Sequence, residues 1–238
     1  MNPLGFVPAR GVVQPAAAPD VRRACFVARK LFAEIVYDTA ALEDSPYTFP
    51  EVQTLLEGIT VGGHRLADQS LVLNQAASWR RLIELVGSGR FALDKETFCE
   101  LHALVAREEA LTWGVFRDGA VRIAGSRHEP PPAAALDELF AGGLAELDRI
   151  TCPFLKGINF FLFGSLSQFF FDGNKRTSRL MMNGIIMSAG HPPISVPAAK
   201  ALEFNRTMLT FYETREGREM AQLLLSLAPV AYLPAMPA

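Results

Sequence analysis

Fifteen residues from Gly157 to Phe171, GINFFLFGSLSQFFF, form the most apolar stretch of the chain. Ser165, Ser167 and Gln168 interrupt it, so it falls short of the roughly 18 clean apolar residues that a membrane span needs. A segment that is apolar on all sides is instead buried inside a protein. The stretch therefore predicts a central helix within a helical domain and argues against a membrane partner.

The rest of the chain is divided by turn-forming residues into segments with helical spacing. Residues 121–123 are different, because Val121 and Ile123 alternate around a turn and predict a short β-hairpin. The pattern therefore predicts an all-α fold, a compact orthogonal helical bundle with one hairpin. Helices are expected at about 20–41, from Thr48 onward, and at about 69–86, 95–110, 133–149, 153–168, 176–189, 198–212 and 216–227.

Two of these helices begin with capping signals. Asp20 is a residue type that caps helix N-termini. Thr48 is followed three residues later by Glu51, with Pro50 in the first turn, which predicts a capping box.

The chain of 238 residues suits one domain with a sizeable core. Residues 1–19 contain prolines and no continuous apolar run, so we expect an irregular arm or docking strand rather than a signal peptide. Residues 20–228 are the predicted domain. Residues 229–238, PVAYLPAMPA, are the predicted C-terminal tail.

Charge and cysteine content restrict the class of partner. The formal net charge is −2 and no block of Lys and Arg occurs, which argues against nucleic acid, since such binding depends on many phosphate contacts. Cys25, Cys99 and Cys152 are odd in number and widely spaced. They form neither a disulfide framework nor a metal cluster, and they fit a reducing cytoplasm.

An anion site is predicted where the apolar stretch ends. Gly173 opens a helix there, which leaves backbone N–H groups unpaired at the positive end of the helix dipole. Arg176 and Arg179 lie three residues apart, hence on one face, and each offers forked donors to phosphate oxygens. Asp172 lies where a carboxylate could hold Mg²⁺ against those phosphates. The same residues are compatible with a solvated basic helix start that Asn174 caps.

A longer sequence pattern favours the anion site over the solvated helix start. QFFFDGNKRTSR resembles the Fic family signature, HPFx(D/E)GN(G/K)RxxR, and two further segments resemble parts of the same family. GVFRDGAVRIAGSRHEPPP is similar to its flap, and YDTAALEDSPYTFPEV is similar to its regulatory helix. The signature is matched at Phe170, Asp172, Gly173, Asn174, Lys175, Arg176 and Arg179.

The resemblance implies an all-α fold that binds ATP and Mg²⁺ and transfers AMP from ATP to a hydroxyl of a target protein. Asp172 would hold the metal, and Arg179 would hold the γ-phosphate. A homodimer is compatible with the resemblance, because the family frequently forms dimers. The residues that would bind the nucleotide are Gly173, Asn174, Lys175, Arg176, Arg179 and Asn205.

The resemblance also implies a regulator and a target-binding segment. Thr39 and Glu43 lie four apart in the regulatory helix, with Asp44 where the family has Gly or Asn. Glu43 would pair with Arg179 and block the γ-phosphate. The flap would align a target segment by main-chain pairing, as an added strand. Its predicted contact residues are Val121, Arg122, Ile123, Ala124 and Gly125.

Gln168 departs from the signature at the position of its His, the general base. A carboxamide can orient a hydroxyl, but it cannot accept its proton at neutral pH. We therefore expect nucleotide binding with weakened transfer. His128 at the flap exit is the alternative base that the predicted topology brings nearest to position 168. Two other functions stay open, a non-catalytic nucleotide-dependent interaction module and, from Lys175 alone, a phosphotransferase like the Doc branch.

Overall fold

The fold is that of a computed structural model, which describes residues 2–235. Within this range ten α-helices form most of the structure, which confirms the predicted all-α class. Short 3-10 turns at Ala133–Ala135 and Ala198–Lys200 lead into two of them. The helices are α1 (Val21–Lys30), α2 (Phe32–Ala41), α3 (Phe49–Leu56), α4 (Leu66–Gly87), α5 (Lys95–Val105), α6 (Leu136–Asp148), α7 (Pro153–Ser167), α8 (Asn174–Ser188), α9 (Ala201–Thr214) and α10 (Arg218–Ser226).

Helix α7 lies at the centre of the bundle, as its apolar sequence predicts. Every residue from Gly157 to Ser167 is buried. Helix α8 packs along α7, and this close approach requires Gly164, where an added Cβ would lie 2.1 Å from Ser178 Oγ. None of the described helices is long and apolar enough to cross a membrane.

A cluster of phenylalanine rings lies beneath the loop that joins α7 to α8. Phe169 and Phe170 are fully buried, and both make edge-to-face contacts with Phe98, at centroid distances of 5.9 and 4.8 Å. These contacts fasten the apolar side of the loop to the core. Asp172 is thereby left exposed at the surface, whereas Asn174 and Arg176, which follow it, are buried.

The two ends of the chain pair with each other, so of the two alternatives predicted for the N-terminal residues the docking strand is present rather than the irregular arm. Residues Gly11–Pro15 form β1, which is antiparallel to β2 at Val230–Pro234 in a two-stranded sheet. Asn159 of α7 also anchors the arm, accepting from Ala9 N at 2.8 Å and donating to Ala9 O at 3.0 Å. The pairing joins segments more than 200 residues apart, so no local pattern could predict it. Met1 and residues 236–238 of the predicted tail lie outside the described residues.

The predicted helix at 20–41 is wrong at Leu31, where the chain leaves the helical conformation and divides α1 from α2. Both predicted caps are present. Asp20 accepts a hydrogen bond from Arg23 N at 3.0 Å, and Thr48 N donates to Glu51 at 2.7 Å. The regulatory segment therefore begins as a separate helix, α2.

The predicted hairpin at Val121–Ile123 does not form. Described residues 111–132 contain no strand, and the flap is an irregular segment with a turn at Ala124–Gly125. The physical reason is that carbonyl groups of this segment bond to a buried side chain, Arg117, rather than to a neighbouring strand. Prolines 130–132 also lack the N–H groups that a second strand would donate.

Candidate functional site

A cavity of about 670 Å³ opens over the start of α8. Its volume lies within the usual range for small-molecule sites. The turn after α2, the flap, the α7–α8 loop and helix α9 all contribute to its wall. The predicted site residues that line it are Glu43, Arg122, Ile123, Ala124, Gln168, Asp172, Gly173, Asn174, Lys175, Arg176 and Asn205.

The remaining predicted residues lie beside the cavity. Thr39 and Arg179 line a small adjoining space of about 10 Å³, together with Arg176. Thr39 is buried, and among the described residues its side chain makes no hydrogen bond. Val121 and Gly125 belong to the flap but are not part of the lining.

The start of α8 has the geometry of an anion site. Gly173 caps the helix with a φ of 72°, a left-handed conformation that glycine adopts without strain. The first-turn N–H groups of residues 174–176 have no intrahelical acceptor, and these residues line the cavity. The positive end of the dipole of a 15-residue helix therefore faces the cavity.

The side chain of Asn174 holds the loop rather than facing the cavity. Its Oδ1 accepts from Phe170 N at 2.9 Å, and its Nδ2 donates to Phe170 O at 2.8 Å and to Gln168 Oε1 at 3.1 Å. The backbone N–H of Asn174 is the group that remains for an anion.

Arg179 is buried without a hydrogen-bond partner. Its side chain packs over the Phe204 ring at 5.4 Å, and neither Nη1 nor Nη2 has an acceptor among the described residues. Glu43 Oε1 lies 3.6 Å from Nη2, which makes an ion pair that is too long for a hydrogen bond. Burial lowers the pKa of Arg179, and the nearby Glu43 carboxylate opposes that shift. Tyr212, whose hydroxyl is also buried and unpartnered in the described chain, lines the larger cavity over the start of α8.

The turn that carries Glu43 is held in place from behind. Asp38 of α2 accepts from Ser195 Oγ at 3.1 Å and from Ala198 N at 2.9 Å, which ties the end of α2 to the segment before α9. Asp44 has a φ of 57°. This left-handed conformation explains why Gly or Asn suits that position, and Asp is among the residues that tolerate it.

Gln168 ends α7 with a left-handed backbone, at φ 50° and ψ 61°. Its side-chain amide is already engaged, since Nε2 donates to Ser165 O at 2.7 Å and Oε1 accepts from Asn174 Nδ2. The side chain borders the cavity but directs its polar atoms to the loop. It therefore presents no base to the cavity.

His128 does not replace the missing base. Its Nε2 donates to Leu166 O at 2.7 Å, and its Nδ1 accepts from Arg215 Nη2 at 2.7 Å. Burial lowers the pKa of His128, which favours this neutral tautomer. Both ring nitrogens are therefore occupied by hydrogen bonds that hold the end of the flap against the C-terminal ends of α7 and α9.

Arg117 lies within the flap pattern and has a role there that the sequence does not predict. It is 3% exposed and donates to three carbonyl groups: Gln168 O at 2.6 Å, Gly119 O at 2.6 Å and Pro131 O at 2.5 Å. It thus joins both ends of the flap to the residue in the base position. An arginine within a Gly- and Pro-rich segment is the only signal that the sequence offers for this role.

His102 of α5 links two loops at the site. Its ring stacks on Phe170 at 3.6 Å, Nε2 donates to Asp172 O at 2.9 Å, and Nδ1 accepts from Gly114 N at 3.0 Å. Burial lowers the pKa of His102 to about 4, so the neutral ring makes both bonds. His102 therefore fixes the backbone of the predicted metal-binding residue.

The residues present fit a nucleotide with Mg²⁺. Asp172 is a single carboxylate with a mostly exposed side chain at the cavity, and no three His, Cys, Asp or Glu side chains form a metal cluster within residues 2–235. A magnesium ion held by one carboxylate would take its other ligands from phosphate and water. The unpartnered nitrogens of Arg179 fit phosphate oxygens.

Comparisons with known proteins agree with this geometry. The model of the Fic/DOC family matches residues 92–186, which include the flap, α7 and most of α8. A protein adenylyltransferase Fic from Drosophila ananassae is 25% identical over 179 residues, covering 71% of this chain and 35% of that protein. Another, from Drosophila grimshawi, is 25% identical over 186 residues, covering 74% and 37%. The chain thus spans about a third of the length of these curated relatives.

Solved structures show the same fold. Fic-1 (residues 134–508) from C. elegans superposes with a TM-score of 0.74 at 20% identity, covering 85% of this chain and 62% of that one. A Fic family protein from Desulfovibrio desulfuricans G20 gives a TM-score of 0.69 at 17% identity, covering 93% and 74%. These structures show that the chain shares the fold of Fic proteins, and the family match over residues 92–186, which includes the motif, supports a Fic domain in this part of the chain.

Proposed function

We propose that this chain binds ATP with Mg²⁺ in the cavity over α8, and that its transfer of AMP to a protein hydroxyl is weakened by Gln168. One observation carries the proposal. The unpaired nitrogens of buried Arg179 lie close to the cavity into which the N–H groups of the α8 start are directed. Buried donors without acceptors are costly, so this arrangement favours an anionic ligand.

Different residues would bind different parts of the triphosphate. The N–H groups at the α8 start and the guanidinium of Arg176 would bind phosphate oxygens nearest the reacting bond, and Arg179 would bind the terminal phosphate. Asp172 would hold Mg²⁺, which neutralises phosphate charge when bound. Asn205 and Tyr212 on α9 border the same cavity, where the rest of the nucleotide would lie.

The flap offers main-chain groups for a target segment. Among the described residues, the N–H and C=O groups of Val121 and Arg122 have no hydrogen-bond partner, and Arg122 to Ala124 line the cavity. A target strand could pair with these groups and bring a hydroxyl to the nucleotide. Without a base at position 168 the proton of that hydroxyl has no acceptor. The flap would therefore still align a target segment, but the transfer of AMP to it would be slow.

A second function is favoured by the geometry of Gln168 itself. Because its amide is engaged by Ser165 and Asn174, the loop is well ordered without a catalytic group. A nucleotide-dependent interaction module, in which bound ATP supports capture of a partner strand by the flap, is consistent with that arrangement. Transfer of labelled AMP distinguishes the two functions.

Replacing Glu43 by glycine tests both nucleotide binding and the proposed inhibition. Glu43 lines the cavity and lies 3.6 Å from Arg179, so its carboxylate competes with a phosphate for the same guanidinium. We expect Glu43→Gly to bind ATP with Mg²⁺ about tenfold more tightly, or ~1.4 kcal/mol. Isothermal titration calorimetry measures this change.

Asp44→Gly is the matched control for that experiment. It removes one negative charge from the same turn, at a backbone conformation that suits glycine, but it removes no contact with Arg179. We expect its ATP affinity to stay within about threefold of the starting chain, since it changes only a screened charge. Equal affinities for all three proteins would refute the inhibitory role of Glu43. Absence of ATP binding by all three would refute the nucleotide site.

A further inference from the structure

A second carboxylate contacts the other arginine of the motif. Arg176 Nη1 donates to Glu109 Oε2 at 2.6 Å. The Arg176 side chain is 5% exposed and that of Glu109 is 18% exposed, so the pair is largely removed from water. Glu109 lies in the turn after α5, outside every segment assigned a role in nucleotide binding.

Glu109 is itself held in place by α4. Asn74 Nδ2 donates to Glu109 Oε1 at 2.9 Å and to Arg107 O at 2.8 Å. Each carboxylate oxygen thus has its own partner, one on α4 and one on α8. The contact therefore fixes the direction of the Arg176 guanidinium relative to two helices.

Arg176 has a competing partner within the cavity. Asp172 lies four residues earlier, and its Oδ1 is 3.5 Å from Arg176 Nη2, compared with 2.6 Å for the Glu109 contact. Residues at this spacing pair readily when nothing else restrains them. A closer pair would occupy the carboxylate that is proposed to hold the metal.

The positions of the acidic residues distinguish their roles. Glu43 and Asp172 line the cavity, so a bound phosphate or metal meets them directly. Glu109 does not belong to that lining, and it approaches Arg176 from the side of α4 and α5. It can therefore stay in contact with Arg176 while a phosphate binds on the cavity side.

We infer that Glu109 is a positioning residue, which directs Arg176 at the nucleotide phosphates and keeps its ion pair with Asp172 from closing below the present 3.5 Å. The inference rests on the proposed function of the cavity. It assigns to the turn after α5 a role in forming the phosphate site. Loss of Glu109 lets Arg176 close on Asp172, which weakens both phosphate binding and metal binding.

Calorimetry with ATP at several Mg²⁺ concentrations tests the inference. Glu109→Ala is expected to bind ATP about tenfold more weakly and to need about tenfold more Mg²⁺. Glu109→Gln keeps an oxygen that accepts from Arg176 Nη1, so its affinity for ATP should fall about threefold at most. Glu108→Gln, at an exposed neighbour, is the matched control and should behave like the starting chain. Adenosine, which lacks phosphates, should bind all of these proteins equally. A general structural defect would instead weaken the binding of both ATP and adenosine.

The outcomes separate this inference from the proposed function. Unchanged or tighter ATP binding by Glu109→Ala, alongside binding by the starting chain, overturns the positioning role alone. Absence of ATP binding by the starting chain and by Glu43→Gly overturns both. If Glu109→Ala does not fold, Asn74→Ala keeps both charges and removes the bond that orients Glu109, together with the bond from Asn74 to Arg107 O. About threefold weaker binding of ATP at an unchanged melting temperature then supports the role, and unchanged affinity overturns it.

Discussion

Replacing Gln168 by histidine is expected to raise the transfer of AMP to protein by about 10²–10⁴-fold, the usual contribution of a positioned general base. The cavity, the α8 start and the arginines are already formed around position 168. What the chain lacks there is a group that accepts a proton at neutral pH. The substitution supplies that group and leaves the phosphate contacts unchanged.

The backbone at position 168 is suited to this change. Its φ of 50° is a left-handed conformation in which histidine is enriched among non-glycine residues. The substitution removes two side-chain hydrogen bonds, to Ser165 O and from Asn174 Nδ2. Because Asn174 keeps its two bonds to the Phe170 backbone, we expect the loop to stay in place.

Incorporation of ³²P from α-labelled ATP into protein, by the chain itself or in a cell lysate, measures the transfer. Gln168→Ala removes the amide without adding a base and should label as weakly as the starting chain. Because Glu43 opposes phosphate binding, the comparison is made again in the Glu43→Gly background, where Gln168→His should label most strongly. Equal labelling by the starting chain and Gln168→His would mean that the base is either supplied elsewhere or not needed.

Replacing Arg117 by alanine is expected to lower the free energy of unfolding by about 3 kcal/mol, since three hydrogen bonds from a charged donor are lost. Their acceptors are the carbonyls of Gln168, Gly119 and Pro131. Arg117 is buried, so its charge is held in a poorly solvated place, and this burial lowers its pKa. Without this side chain, the carbonyls of Gly119 and Pro131 lose their link to the end of α7, while the bond from His128 to Leu166 O remains.

Urea denaturation, followed by circular dichroism, checks the size of this effect. Arg127→Ala is the matched control, because Arg127 lies in the same segment but is exposed. We expect that control to change the free energy of unfolding by less than about 0.5 kcal/mol, as surface substitutions usually do. An Arg117→Ala chain with the stability of the control would contradict the role given to Arg117.

The parts of the fold that could be predicted from sequence are those with local causes. The apolar stretch predicts α7 as a buried helix because a segment that is apolar on every side must be hidden from water, and this one is longer than a buried strand. Asp20 and Thr48 identified two helix starts because a side chain and a backbone N–H only a few residues away complete the cap. The glycine turn before α8 is local in the same sense, since one residue with positive φ creates the helix start.

The parts that could not be predicted depend on contacts between distant segments. Pairing of β1 with β2, and of Asn159 with Ala9, joins residues about 150 or more apart in sequence. The flap alternates like a strand, yet Arg117 takes up carbonyl groups of that segment. Glu109 carries no motif of its own, and only the fold brings it to Arg176.

The central claim is that the cavity over α8 holds the phosphates of ATP. A crystal structure of Glu43→Gly with ATP and Mg²⁺ tests it most directly. We predict phosphate oxygens within hydrogen-bonding distance of the Arg179 nitrogens and of the N–H groups at the start of α8, with the metal on Asp172. A nucleotide bound elsewhere, or a soaked crystal with this cavity free of phosphate, would contradict the account.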